Sequence, residues 1–77
     1  MNSNKAFGVA LREERLKKKI SQEALASYAG LDRTYISMLE LGQRSPKLDT
    51  MLAISGALGI SLSIITNRVE ELLNIHD

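Results

Sequence analysis

The sequence lacks cysteine altogether and has a single histidine, His76. Without thiols the chain can form neither a disulfide framework nor a thiolate metal site, and one histidine is too little for zinc binding or histidine-based catalysis. No apolar run approaches the ~20 residues that span a bilayer, and the N-terminus does not resemble a signal peptide. These absences argue against most enzyme chemistry, and they predict a cytoplasmic chain that needs no metal, cofactor or membrane.

What remains is the composition of one small domain whose charges are unevenly distributed. The 77 residues are 44% hydrophobic and 25% charged, which are ordinary values for a folded chain, and we expect them to form a single domain over residues 1–77. Residues 1–47 carry a net charge of +4, whereas residues 48–77 carry −3. This asymmetry agrees with an N-terminal part that faces a polyanion, and equally with two differently solvated faces.

Glycines and short polar residues divide the sequence into predicted helices, and no segment alternates like a strand. The helical segments are about 4–18, 22–29, 33–41, 49–58 and 62–74. Three glycines follow apolar stretches, where a left-handed helix C-terminus favours this residue: Gly30, Gly42 and Gly59. Four polar residues precede helical segments as candidate N-caps: Ser21, Asp32, Asp49 and Ser61. The sequence therefore predicts an all-α fold of five helices.

Helical periodicity selects a candidate core from these segments. The expected core side chains are Phe7, Leu11, Leu16, Leu25, Ala26, Ala29, Ile36, Leu39, Met51, Ile54 and Leu58. Four more apolar residues lie in the joints between helices, where they would fix entry angles: Ile20, Leu31, Leu48 and Ile60. Gly56 falls inside the fourth helix at a cost of about 1 kcal/mol relative to alanine, and the sequence offers no reason for it.

The most informative stretch is residues 21–40, in which a tight turn joins two short helices. Gly30 lies in the turn, and the small Ala26 and Ala29 let the helices cross closely, as in a helix-turn-helix. The second helix places Ile36 and Leu39 on one side. The residues left on its other side are Arg33, Thr34, Ser37 and Met38. An α-helix is ~10–12 Å across and the DNA major groove ~12 Å wide, so residues at the start of this helix can reach base edges.

A series of short segments in a fixed order carries a family resemblance. In chain order, the segments are Leu11-Arg12, Arg15, Ile20-Ser21-Gln22-Glu23-Ala24-Leu25-Ala26, Gly30-Leu31, Ile36-Ser37, Leu39-Glu40-Leu41-Gly42, Arg44-Ser45-Pro46 and Leu58-Gly59-Ile60-Ser61. Together they resemble the lambda-repressor-like helix-turn-helix regulators of the Cro/C1 or xenobiotic-response-element class. Residues 31–37 are also similar to controller proteins of restriction–modification systems. Lys19 departs from the class by replacing a glycine, so a left-handed backbone there would be strained by about 1 kcal/mol.

The resemblance implies a five-helix bundle whose third helix enters the major groove. It implies base-reading roles for four residues: Arg33, Thr34, Ser37 and Met38. It implies contacts to the DNA backbone for five others: Gln22, Tyr35, Arg44, Ser45 and Lys47. Two alternatives stay open, because Tyr35 could instead pack its ring on the helix surface and Arg44 could also reach a base. Met38 stands where some relatives have a hydrogen-bonding reader, so it is expected to touch only a thymine methyl group.

Arg15 and Glu40 are expected to form a structural ion pair between the first and third helices. In a repressor-like packing the two positions face each other beside the core, and each is the charge available to the other there. If the pair is partly buried, removing one partner would strand a charge at a cost of about 3–5 kcal/mol.

The last predicted helix has more large apolar side chains than one small domain can bury. The residues that we expect at a homodimer interface are Ile64, Val69, Leu72, Leu73 and Ile75. An exposed apolar patch usually marks an interface, and one recognition helix reads only one half-site, so a twofold dimer would supply the second. The alternative is that some of these side chains wrap back onto the first helix.

These patterns predict a sequence-specific DNA-binding transcriptional regulator that acts as a homodimer on a palindromic operator. The alternative is an antitoxin-type module that also binds DNA and neutralises a partner protein with its last helix. Only about ten residues follow the core fold, which leaves little chain for such a segment and favours the regulator. No paired carboxylates, nucleophile–base arrangement or phosphate-cradling glycine loop indicates an enzyme, and no small-molecule ligand is evident.

Overall fold

Five α-helices make up the fold in the computed structural model, which describes residues 1–74. They are α1 (Ser3–Lys17), α2 (Gln22–Ala29), α3 (Arg33–Glu40), α4 (Leu48–Leu58) and α5 (Leu62–Leu73). No strand occurs in these residues, and every predicted helix boundary agrees with the structure to within one residue. The all-α prediction is therefore confirmed. Ile75, which the sequence places at a dimer interface, lies outside the described residues.

The helix ends follow most of the local signals. The hydroxyl oxygens of Ser21 and Ser61 accept hydrogen bonds from backbone N–H groups of the first turn that follows, at 3.0 and 3.2 Å. Asp32 occupies the N-cap position of α3 without a side-chain bond. The prediction that Asp49 caps α4 is wrong, because α4 begins one residue before it and its carboxylate lies in the first turn, where the helix dipole favours it. Positive φ angles occur at all three glycines predicted to follow helices, Gly30, Gly42 and Gly59.

The core draws on all five helices and consists largely of predicted side chains. Its buried residues are Phe7, Ala10, Leu11, Leu25, Ala26, Ile36, Leu39, Ile54, Leu58 and Ile65. The joint residues that pack against it are Ile20, Leu31 and Ile60. The core prediction for Leu16 is wrong: its side chain is 52% exposed, because five residues after Leu11 it lies about 140° around α1. The joint prediction for Leu48 is also wrong, since this residue begins α4 with its side chain 59% exposed.

α1 packs against both α3 and α5 and fixes their positions. It approaches α3 so closely at Gly8 that a Cβ atom there would lie 2.6 Å from the Glu40 carbonyl oxygen, so that only glycine fits. On the α5 side, Arg68 donates to both carboxylate oxygens of Glu13, at 2.9 and 3.2 Å. These hydrogen bonds lower the pKa of Glu13. α1 thus joins the helix-turn-helix to the C-terminal helix.

Within residues 1–74, no helix by itself has the length and apolar character to cross a membrane. α4 and α5 pass that test of length and composition only when taken together, and the two are bent by 112° at the break between them.

Candidate DNA interface

α2 and α3 form the predicted helix-turn-helix, with Gly30 in the turn. Gly30 has a left-handed backbone with a φ of 70°, which a residue without a Cβ atom adopts freely. The Leu31 N–H then donates to the Ala26 carbonyl oxygen at 2.8 Å, and the Leu31 side chain packs against the core behind the turn. These contacts fix the angle between the two helices.

α3 has a buried side and an exposed side. Ile36 and Leu39 are fully buried, and Glu40 continues the buried side to the end of the helix. The residues expected to read bases are Arg33, Thr34, Ser37 and Met38, of which the last three lie away from the buried side and Arg33 begins the helix. The first two are exposed and the other two are half-buried, so the helix is most accessible in its first turn. Arg33 and Thr34 are thus the most accessible of the four expected readers.

The residues expected to contact the DNA backbone lie on three elements. They are Gln22 at the start of α2, Tyr35 on α3, and Arg44, Ser45 and Lys47 in the loop before α4. The Arg44 guanidinium lies over the Tyr35 ring, 5.9 Å from the ring centroid, while the ring itself packs against the core. Tyr35 is therefore a packing residue as well as a platform for Arg44. Ser45 and Lys47 are exposed in the same loop.

A buried ion pair connects this surface to α1. The Arg15 guanidinium donates to one Glu40 oxygen from Nε at 2.6 Å and to the other from Nη2 at 3.0 Å, and its Nη1 donates to the Ile20 carbonyl oxygen at 2.9 Å. The Arg15 and Glu40 side chains are only 9% and 3% exposed. Hydrogen bonding to Glu40 raises the pKa of Arg15, against the opposing effect of burial. The ion pair expected from the sequence is present, and it joins α1, α3 and the segment between α1 and α2.

The Gln22 side chain bonds to the same carboxylate. Its Nε2 donates to Glu40 Oε1 at 3.0 Å, so Glu40 accepts hydrogen bonds from both Arg15 and Gln22. The sequence gives no sign of this contact, because the two residues are 18 positions apart and no local pattern joins them. Gln22 is therefore held at one of its two amide N–H groups before any DNA is bound.

The segment before α2 contributes a strained, positively charged residue. Lys19 has a left-handed backbone with a φ of 57°, as the replacement of a glycine at this position leads one to expect. Strain of this kind costs a residue with a Cβ atom about 1 kcal/mol or more. The Lys19 side chain is exposed three residues before Gln22, so it adds positive charge near the start of α2.

The C-terminal helices expose a different kind of surface. Of the residues expected at a dimer interface, Ile64 is 45% exposed, and Leu72 and Leu73 are half-buried. Val69 is partly buried against the core of its own domain, which leaves less of its side chain for a partner. Ile64 is therefore the most accessible of the described candidates.

α4 adds an exposed apolar strip that was not predicted to form an interface. Leu48 and Leu52 are 59% and 52% exposed, and Gly56 follows at the same spacing of four residues. A Cβ atom at Gly56 would meet nothing within 4 Å, so no contact inside the domain requires glycine there. The signal was present in the sequence. Positions 48, 52 and 56 are offset by two residues from the core positions Ile54 and Leu58, which places them on the opposite side of the same helix.

Comparisons with known proteins agree with this geometry. A helix-turn-helix family model matches residues 11–65. The control protein C.MunI of a Mycoplasma species is 41% identical over 66 residues, which are 84% of this chain and 89% of that protein. The control protein C.BamHI of Bacillus amyloliquefaciens is 49% identical over 55 residues, which are 70% of this chain and 68% of that protein. The crystal structure of the restriction–modification controller protein C.AhdI from Aeromonas hydrophila matches with a TM-score of 0.79 at 42% identity, over 80% of this chain and 94% of that one.

The matched region contains the helix-turn-helix, the buried ion pair and the loop that carries Arg44 and Lys47. These matches confirm the family resemblance predicted from the sequence motifs. The family consists of DNA-binding regulators, so the prediction that the chain is not an enzyme is confirmed as well. The chain belongs to the helix-turn-helix family of Cro/C1-type, DNA-binding transcriptional regulators.

Proposed function

We propose that this regulator binds a palindromic operator as a homodimer and reads each half-site with the exposed side of α3 in the major groove. The observation that carries the proposal is the two-sided character of α3. Buried Ile36 and Leu39 hold the helix to the domain, while its first turn projects Arg33 and Thr34 outward. A helix held in this way can enter a groove ~12 Å wide without any change in its own packing.

Arg33 is the residue that we assign to the strongest base contact. Its guanidinium can donate two hydrogen bonds to the O6 and N7 atoms of one guanine, the commonest specific contact in the major groove. Thr34 and Ser37 have hydroxyl groups that can donate or accept, so they suit several bases. Met38 is half-buried and has no strong donor, so we assign it an apolar contact with a thymine methyl group. The operator should therefore contain a guanine that faces Arg33 in each half-site.

The residues that border α3 are assigned to the phosphate backbone. The Tyr35 ring supports the Arg44 guanidinium from below and leaves its charge free to meet a phosphate. Lys47 and Ser45 are exposed in the same loop, one with a cation and the other with a hydroxyl donor. Gln22 lies at the N-terminus of α2, where the helix dipole and the first N–H groups favour an anion. These contacts would set the register of the protein on DNA without reading sequence.

A second copy of the chain is proposed to cover the apolar surface of the C-terminal helices. Ile64 is the most exposed of the candidates on α5, and we add Leu52 of α4 for the same reason. Leu72 and Leu73 would contribute the parts of their side chains that the domain does not bury, and Val69 would contribute less. The net charge of −3 on residues 48–77 would keep this surface away from DNA.

The names of the relatives support a controller role. Two of them are named control proteins, and the solved structure is that of a restriction–modification controller protein. We therefore propose that the operator of this chain lies beside restriction or methyltransferase genes.

Selection of bound sites from a random DNA library tests the proposed function. The expected product is a palindrome whose half-sites are centred 10–10.5 base pairs apart, or a small multiple of that, as for other twofold helix-turn-helix dimers. An enriched single half-site without symmetry would contradict the dimer, and the absence of enrichment would contradict sequence-specific binding. A palindrome that occurs in the source genome only far from restriction or methyltransferase genes would contradict the controller role.

A further inference from the structure

The Glu40 carboxylate is placed between a residue of the scaffold and a residue of the DNA-facing surface. Its Oε2 accepts from Arg15 Nε at 2.6 Å, while its Oε1 accepts both from Arg15 Nη2 and from Gln22 Nε2, each at 3.0 Å. A carboxylate has no proton to donate, so the group of Gln22 that faces it must be the amide NH₂. Glu40 therefore determines which way the Gln22 amide is turned.

We propose that Glu40 is a positioning residue for DNA binding, which acts by holding the Gln22 amide with its second N–H directed at a backbone phosphate. The proposal rests on the backbone role assigned to Gln22 above. A phosphate oxygen only accepts hydrogen bonds, so Gln22 can serve it only through an N–H group, and the reverse orientation of the amide would present its oxygen instead.

The arrangement also reduces the cost of binding. A free glutamine side chain on the surface would lose its rotational freedom when it contacts DNA, and an immobilised side chain of this kind lowers affinity by roughly 2- to 10-fold. In this domain the side chain is already ordered by a carboxylate that is itself fixed by the nearly buried Arg15. Gln22 thus reaches the phosphate from a conformation that the domain has prepared.

The first test removes the carboxylate without stranding a charge. In the double variant Arg15→Met/Glu40→Leu, both charges are lost together and the net charge of the domain is unchanged. Gln22→Ala is then measured in each background with the selected operator. We expect a loss of about 5- to 10-fold in the wild-type protein, but no more than about 2-fold in the double variant, because Gln22 is no longer held there.

A matched control separates positioning from stability. The Glu13–Arg68 ion pair also joins α1 to another helix, but it lies on the α5 side and has no bond to Gln22. In the background Glu13→Leu/Arg68→Met, Gln22→Ala should cost as much affinity as in the wild-type protein. An equal loss from Gln22→Ala in all three backgrounds would overturn the proposal and leave the phosphate role of Gln22 intact. If Gln22→Ala has wild-type affinity, both the positioning role of Glu40 and the phosphate role of Gln22 are overturned, while operator binding through α3 still stands.

A second measurement uses the wild-type protein alone and holds even if the double variant does not fold. The chain has two glutamines, and Gln43 is exposed with no side-chain hydrogen bond among the described residues. In free protein, we expect an NMR order parameter of about 0.8 for the Gln22 side-chain amide and below about 0.6 for that of Gln43. A Gln22 amide as mobile as that of Gln43 would overturn the proposal, because Glu40 would then hold nothing in place.

Discussion

The surface around α3, within residues 1–47, differs in chemistry from the surface of α4 and α5, within residues 48–74. The first region exposes cations and hydroxyl groups around α3, and a nearly buried ion pair supports that surface from behind. The second region exposes Leu48, Leu52 and Ile64, although its helices help to build the same core. The difference shows that one small domain can have two surfaces suited to different partners, a polyanion on one and an apolar surface on the other.

The two regions should also differ in their response to salt. Binding of cationic side chains to phosphates releases counterions from the DNA, and this release becomes less favourable as the salt concentration rises, so the affinity falls. Burial of apolar surface does not depend on charge in this way. Substitutions can therefore be chosen that disturb one surface and leave the other unchanged.

The largest effect is expected from removing the support behind the polar surface. Arg15→Met leaves the Glu40 carboxylate buried without its cation, which should lower the free energy of unfolding by about 3–5 kcal/mol. Urea unfolding monitored by circular dichroism measures the loss. The double variant Arg15→Met/Glu40→Leu should recover most of it, because two apolar residues need no charged partner. If the double variant is as unstable as the single one, the stability that Arg15 provides does not come from its ion pair with Glu40.

The next largest effect is expected at the apolar surface. Ile64→Glu should give a folded monomer whose operator affinity falls by at least about 100-fold, because two half-sites no longer bind as one unit. Sedimentation measures the oligomeric state and unfolding confirms the fold, while binding of a single domain to one half-site serves as the control. Wild-type protein that stays monomeric at high micromolar concentration, with full operator affinity, would remove the dimer from the proposed function.

A smaller and more selective effect is expected at the start of α3. Arg33→Ala should lower affinity for the operator by about 1–3 kcal/mol and leave most of the affinity for random DNA, since a guanine contact exists only at the right sequence. Competition binding with the two kinds of DNA measures the ratio. Equal losses on both would move Arg33 from base reading to the phosphate backbone.

Lys47→Ala should act on all sequences alike. Loss of one phosphate contact should reduce the slope of log affinity against log salt by about 0.9, with no change in the preferred sequence. Titrations at several salt concentrations measure the slope, and Lys18→Ala, an exposed cation at the end of α1 with no assigned contact, is the matched control. An unchanged slope for Lys47→Ala would remove this residue from the backbone contacts.

The smallest effect is expected at Gly56, and its sign should depend on the partner. In the monomeric Ile64→Glu background, Gly56→Ala should raise the free energy of unfolding by about 0.5–1 kcal/mol, because alanine favours a helix and the space around it is open. In the wild-type dimer the same change should weaken association if the partner backbone approaches α4 there. Stabilised monomer with unaltered dimer affinity would place Gly56 outside the interface.

Much of the candidate site could be predicted from the sequence because its signals are local. Arg33 and Thr34 directly follow the N-cap position of a helix whose fully buried apolar residues, Ile36 and Leu39, come later, so their exposure could be predicted from their place in the first turn. The strain at Lys19 could be predicted from one departure at a glycine position. The link between Gln22 and Glu40 could not, because it depends on the crossing of α1, α2 and α3 at one point.

The sequence by itself determined the five helices, the turn at Gly30 and the side of α3 that faces outward, because periodicity, capping and backbone sterics act within a few residues. Only the tertiary structure decided which apolar residues in the joints between helices reach the core. Ile20, Leu31 and Ile60 pack against it, whereas Leu48, which is just as hydrophobic, begins α4 with its side chain exposed. The same packing brought the Glu40 carboxylate beside Gln22, since a contact between residues 18 positions apart exists only after the helices have come together.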